Sequence, residues 1–128
     1  MKKLSVTVFI FLVFIFTSCA TTDQNAKNNL NLAGTYTGVL PGANSDINME
    51  ITLNKDGTYK VTYQYIDKSE ELFTYTGKFL WKDSSTIDLK KMGMPSLYIV
   101  GNNTLTQLDS DGNKIEGRFA DMYVLKKK

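Results

Sequence analysis

From Leu32 onward, apolar and polar residues alternate in short runs cut by turn residues. Ile47, Met49, Ile51 and Leu53 alternate with Asn48, Glu50, Thr52 and Asn54, the period of two that marks a half-buried strand. Asn54 to Gly57 (NKDG) then predicts a hairpin turn, because glycine supplies the positive φ such turns need. The returning run, Thr58 to Ile66, places Tyr59, Val61, Tyr63 and Tyr65 on one face and Thr58, Lys60, Thr62 and Gln64 on the other. An earlier strand, Gly34 to Leu40, is stopped by Pro41 and Gly42. Leu72 to Trp81 puts Phe73, Tyr75, Gly77, Phe79 and Trp81 on one side, and the glycine inside it predicts a bend or bulge. Shorter strands follow at Thr86–Leu89, Ser96–Val100 and Thr104–Leu108, with a brief pairing at Asn113–Gly117 and a last strand at Asp121–Lys126. No stretch has a sustained helical period, and Glu70–Phe73 could form one turn at most.

This pattern predicts an all-β domain, a small antiparallel up-and-down barrel of the lipocalin-like kind with about eight strands. Closing the meander removes its exposed edges. A barrel of about eight strands has an interior either filled by side chains or able to hold one small ligand. Strand number alone also admits a two-sheet sandwich.

The N-terminal segment does not belong to this fold. Lys2 and Lys3 precede an apolar run of 13 residues, Leu4 to Phe16. That is shorter than the roughly 20 residues a membrane span needs, and it fits a secretory signal. The run ends in Phe16, Thr17, Ser18 and Cys19, which resembles a bacterial lipobox. The resemblance implies cleavage before Cys19 and lipid attachment at that residue. A plain signal peptide followed by a chance cysteine is the alternative, but a free thiol there would be a liability in an exported chain. Several acyl chains at about 0.8 kcal/mol per buried CH₂ would anchor the chain stably. The expected organisation is therefore a signal peptide over 1–18, a polar tether over 19–31 and the barrel over 32–128. Ala20 after the cysteine is not the acidic residue that retains lipoproteins at the inner membrane in some bacteria, so by analogy the outer membrane is the expected site.

Charge and composition exclude more than they identify. The chain has 128 residues, 15 basic and 13 acidic, with one cysteine and no histidine. Both lysines of the signal segment leave with it, so the mature chain is formally balanced. A nucleic-acid binder usually carries a strong basic excess, which is missing here. Without histidine there is no His-based triad or dyad, and one cysteine cannot form an internal disulfide or a CxxC pair. No nucleophile with an adjacent base can be assembled, so an enzyme is not expected, and neither is a cofactor. Asp109 and Asp111 flank Gly112 but lack the spaced ligands of an EF-hand, and turn stabilisation is the expected role.

Tyrosine is the dominant aromatic of the expected mature chain. Tyr59, Tyr63, Tyr65 and Tyr75, with Trp81, form the candidate ligand-binding face. Such side chains bury large areas while their polar tips seek partners. They would suit a small amphipathic ligand, or else a solid core with bonded hydroxyls.

Gly34 to Pro41 (GTYTGVLP) is similar to the start of the N-terminal domain of NlpE-type lipoproteins, a family associated with copper resistance and envelope-stress signalling. Further matches follow in order: Thr52-Leu53, Asp56 to Tyr59, Leu105 to Asp109, Asp111-Gly112 and Tyr123 to Leu125. The resemblance covers about residues 34–125. It implies a lipocalin-like barrel behind a lipid anchor, acting as a binding or stress-sensing module. In the family, Leu-Pro is followed by a Cys-x-x-Cys pair; here those positions are Gly42 and Ser45. Glycine offers no ligand, and a serine hydroxyl is a poor substitute for thiolate on Cu(I). The remaining metal candidates are Met92 and Met94, whose thioethers suit Cu(I), with Met49 or Met122 as a third sulfur; gap-filling is the alternative role for all of them. Three readings stay open at this point: an NlpE-like sensing module, a lipocalin-like carrier of a small amphipathic ligand, and a surface adhesion or interaction module. The partners expected are the membrane, through the lipid, and a small ligand or an envelope protein.

Overall fold

The structure, a computed structural model, describes residues 31–68, 70–90 and 96–128. The signal segment, Cys19, nearly all of the tether, Met92 and Met94 lie outside the described residues.

Among the described residues, nine strands form one antiparallel sheet: β1 Gly34–Leu40, β2 Ile47–Leu53, β3 Thr58–Tyr65, β4 Phe73–Lys78, β5 Leu80–Trp81, β6 Thr86–Asp88, β7 Leu97–Gly101, β8 Thr104–Gln107 and β9 Val124–Lys127. Their order is β4-β3-β2-β1-β9-β8-β7-β6-β5. The two ends of that order, β4 and β5, are separated only by Phe79. The run from Phe73 to Trp81 therefore pairs with β3 through its first part and with β6 through its last. The other closure joins β1 to β9, where Tyr36 faces Lys127 and Thr37 faces Lys126. The result is a nearly closed up-and-down barrel, as the alternation predicts.

The β2–β3 hairpin forms where the turn residues demand it. Gly57 has φ +87°, Asn54 N donates to Thr58 O at 2.9 Å, and the Asp56 carboxylate accepts from Thr58 N at 3.0 Å and Thr58 Oγ1 at 2.6 Å. These bonds hold the Asp56 carboxyl below its usual range, the Thr58 hydroxyl being the largest cause. Asp109 serves its own turn in the same way, accepting from Asp111 N at 3.0 Å and Asn113 N at 2.8 Å.

Two expectations change, and a third holds in its shortest form. The bend expected at Gly77 falls instead at Phe79, whose N–H donates to Gly57 O at 2.9 Å before the chain switches partners. Gly77 has another use: a Cβ there would lie 3.1 Å from the ring of Tyr59, its partner across the ladder. The last strand starts at Val124 rather than Asp121, because Ala120–Tyr123 winds into a 3-10 turn in which Met122 N reaches Phe119 O at 2.9 Å. Asn113–Gly117 contributes only the single bridge Leu108–Lys114, and Gly117 at φ +107° turns the chain away.

Apolar side chains pack together in the barrel interior. Ile51, Val61, Ile87, Leu89, Tyr98, Leu105 and Leu125 are wholly buried. Small residues face large ones across the ladder: Gly34 faces Leu53, and Gly38 faces Met49. The tyrosines that enter the core bring a partner for the hydroxyl, as burial requires. Tyr36 OH donates to Leu32 O at 2.7 Å, Tyr59 OH to Lys90 O, and Tyr98 OH to Met49 Sδ at 3.6 Å.

Candidate functional site

The aromatic face predicted from the alternation divides in two along the barrel. Tyr63 and Tyr65 on β3 meet Phe73 and Tyr75 on β4, because Tyr63 sits opposite Phe73 and Val61 opposite Tyr75. The Tyr63 ring stacks on Phe73 at 5.0 Å and 16°, and on Tyr75 at 6.1 Å and 7°. Tyr65 stands edge-on to both Tyr63 (5.8 Å, 85°) and Phe73 (6.0 Å, 83°). These are the offset and T-shaped geometries that ring quadrupoles favour. Tyr63 is buried, while Tyr65, Phe73 and Tyr75 are half-buried and lie toward one end of the barrel. Burial pushes the Tyr63 phenol up to about 12, helped by a hydrogen bond with the Tyr75 hydroxyl and by the neighbouring phenols.

At that end a cleft of about 410 Å³ opens between the aromatic edge and the β1–β2 loop. Ile47, Tyr65 and Phe73 form its apolar wall, Gly42 to Ser45 its other side, and Lys68 supplies its charged lining residue. The volume lies in the range of about 300–1,000 Å³ typical of small-molecule sites. The loop is tied across the mouth by the Ser45 hydroxyl, which donates to Ile66 O, and by Ile66 N, which donates to Asp46 O at 2.9 Å. This wall was only partly visible in the sequence. Phe73 shares the face of Tyr75 by alternation, but nothing in the pattern brings residues 42–45 over it.

The other predicted residues lie elsewhere. Tyr59 sits deeper, against Gly77, with its hydroxyl bonded to the Lys90 carbonyl. Trp81 is half-buried and borders two other clefts. One, of about 250 Å³, holds Leu32, Tyr36, Ser84 and Ser85. The second, of about 630 Å³, is larger than the aromatic mouth, but its walls carry Lys82, Asp88, Ser96 and Ser110 beside Leu80 and Leu97. Asp88 there accepts from the Ser96 hydroxyl at 2.7 Å. The structure thus groups Tyr63, Tyr65 and Tyr75, and separates Tyr59 and Trp81 from them.

The positions of the family's cysteine pair face each other within the loop. A Cβ added at Gly42 would run into the Ser45 carbonyl oxygen, so this turn is shaped around the missing side chain. Met49 is buried with its sulfur taken by Tyr98, whereas Met122 is exposed. Among the described residues, no three Asp, Glu, His or Cys side chains come together as a metal site.

Comparison with known proteins agrees with this architecture. The NlpE N-terminal domain matches residues 36–118. A crystal structure of a protein from Shewanella oneidensis, provisionally assigned as a lipoprotein, is 40% identical, with a TM-score of 0.72 over 80% of this chain and 94% of that one. The crystal structure of the Cpx pathway activator NlpE from Escherichia coli is 29% identical, with a TM-score of 0.55 over 67% of this chain. The match spans 47% of that NlpE chain, about half its length. Comparison with curated proteins gave no match.

Proposed function

The chain belongs to the NlpE N-terminal domain family, and from that premise we propose that it is a lipid-anchored, non-catalytic binding or stress-sensing module of a bacterial cell envelope. The lipobox-like ending at Cys19 supports the anchor, as does the lipoprotein assignment of the Shewanella relative. An outer-membrane location follows from Ala20 by analogy. Any stress signal would pass to an envelope partner.

The observation that carries the binding role is the half-buried aromatic edge of Tyr65 and Phe73 facing a cleft of about 410 Å³. Its chemistry suits a small amphipathic ligand with an apolar body and an anionic end, the body lying on Ile47, Tyr65 and Phe73 and the charge near Lys68. The packed core favours binding at the mouth over carriage inside the barrel. Copper handling through a thiolate pair has no support, because Gly42 and Ser45 occupy the pair's positions.

Dodecanoate is a suitable probe. Calorimetric titration of the mature chain should give saturable binding, and Tyr65→Ala or Phe73→Ala should weaken it about three- to tenfold, since each half-buried ring has about half of the roughly 1.5–3 kcal/mol of full burial left to gain. Equal affinity in wild type and both variants would refute the site. Intact mass of membrane-extracted protein tests the anchor separately: acylation at Cys19 is expected, and an unmodified thiol would refute it.

A further inference from the structure

The hairpin topology sorts charge between the two ends of the barrel. The turns at 54–57, 82–85 and 101–103 share one end with the start of β1 and the finish of β9. Lys55, Lys60, Lys78, Lys126, Lys127 and Lys128 lie at or near this end. Their acidic company is Asp56, Asp83 and Glu50, the last paired with Lys128 at 3.2 Å. The aromatic mouth is at the opposite end. There the connections and strand ends hold Asp46, Asp67, Glu70, Glu71, Asp88, Asp109 and Asp111, with Glu116 and Asp121 beyond, against Lys68, Lys82, Lys90, Lys114 and Arg118 among the described residues. The described residues, 11 basic and 12 acidic, are therefore folded into a barrel with a basic end and an acidic end.

The chain also leaves the barrel at the basic end. Lys127 Nζ donates to the Asn31 carbonyl at 3.4 Å, beside the point where residues 19–31 would connect to the lipid. The twelve peptide steps from Cys19 to Asn31 reach at most about 43 Å, so the basic end is held close to whatever surface carries the acyl chains.

The geometry points to a docking surface: the end carrying Lys55, Lys60, Lys78 and Lys126 to Lys128 rests on the anionic headgroups of the bilayer that holds the anchor, which turns the acidic aromatic mouth away from the membrane. This rests on the lipid-anchor reading above. It fixes which face of the domain is free to meet ligands or partners, because the lysine-rich end is the one drawn to the anionic surface.

The test uses the mature chain with Cys19→Ser, so that the lipid does not mask the contact. Co-sedimentation is measured with phosphatidylcholine vesicles and with vesicles containing added phosphatidylglycerol at low ionic strength. Anionic vesicles should bind more tightly. The variant K55Q/K60Q/K126Q should lose about a hundredfold in partitioning, about fivefold per lysine, and added salt should do the same to the wild type. The control K90Q/K114Q/R118Q, with the same change of charge at the opposite end, should leave partitioning within about twofold. Equal binding to both vesicle types, no binding to anionic vesicles, or equal losses in the two variants would each overturn the docking surface. Failure of the anchor reading is distinguishable, because an unmodified Cys19 in membrane-extracted protein refutes that reading without altering the vesicle result.

Discussion

Gly38 sits at the seam where the first and last strands close the barrel, and it offers a sharp test of how that seam is packed. A Cβ at this position would lie 2.7 Å from Leu125 Cδ2 and 3.2 Å from the Val124 carbonyl oxygen. Carbon atoms prefer separations of about 3.5–4.0 Å. Gly38→Ala therefore asks the wholly buried Leu125 to move by about 1 Å inside a packed core. Overpacking of this kind costs about 1–3 kcal/mol. Replacing a strand glycine returns about 0.4–1 kcal/mol by restricting the unfolded chain. Mid-range values of about 2 and 0.7 kcal/mol give a net loss of about 1.3 kcal/mol. For a domain of this size that lowers Tm by roughly 5–10 °C, at about 4–8 °C per kcal/mol. Thermal and urea unfolding followed by circular dichroism would measure it. The contact itself is tested by a double-mutant cycle with Leu125→Val, which shortens the side chain that Ala would strike. The pair should be more stable than the sum of the single effects by at least about 0.5 kcal/mol. A neutral or stabilising Gly38→Ala, or strict additivity, would refute the packing argument.

The buried phenols predict a loss of stability in alkali. Burial raises Tyr36, Tyr59 and Tyr98, and Tyr63 is pushed up to about 12, so the native state keeps protons that the unfolded chain releases near 10. This contribution is complete below pH 10 and is lost as pH rises toward 12; ultraviolet titration of tyrosine should show late ionisation coincident with unfolding, and ionisation of all seven near 10 in folded protein would contradict it. Asp56 has the opposite sign: its lowered folded value adds stability above the ordinary carboxylate range that fades in acid, and Asp56→Asn should flatten the acid limb of the stability curve. Ser45→Ala removes the hydroxyl bond to the Ile66 carbonyl and should cost about 0.5–1.5 kcal/mol in denaturant unfolding. Gly42→Ala should also destabilise, because its Cβ meets a backbone oxygen rather than a yielding side chain; a higher Tm would show that the loop has another shape.

Much of the fold was legible because one face of each long strand is buried. The alternation over Ile47–Leu53 and Thr58–Tyr65 is also the observed burial pattern, and the turn between them carries its own chemistry in Asp56 and Gly57. The last strand was less legible, since the 3-10 turn at Ala120–Tyr123 depends on local bonds that hydropathy does not encode. In the sequence Gly77 signals a bend, whereas in the structure it serves close approach to a ring, and the two roles look alike in a sequence. For the site, period two gives the face of a side chain but not its height along the barrel. Tyr63, Tyr65 and Tyr75 therefore come together as expected from their shared face, while Tyr59 and Trp81 share that face and lie elsewhere. The loop from Gly42 to Ser45 reaches the aromatic edge through bonds to Ile66, a long-range contact with no local sequence pattern.

The role assigned to the aromatic mouth is tested most directly by nuclear magnetic resonance of the ¹⁵N-labelled mature chain titrated with dodecanoate. Shifts are expected at Gly42 to Ile47, Tyr65, Lys68 and Phe73, with the basic end around Lys55 and Lys126 unchanged. Shifts centred on Leu105 and Leu125 in the core, or on the basic end, or none at saturating probe, would contradict it.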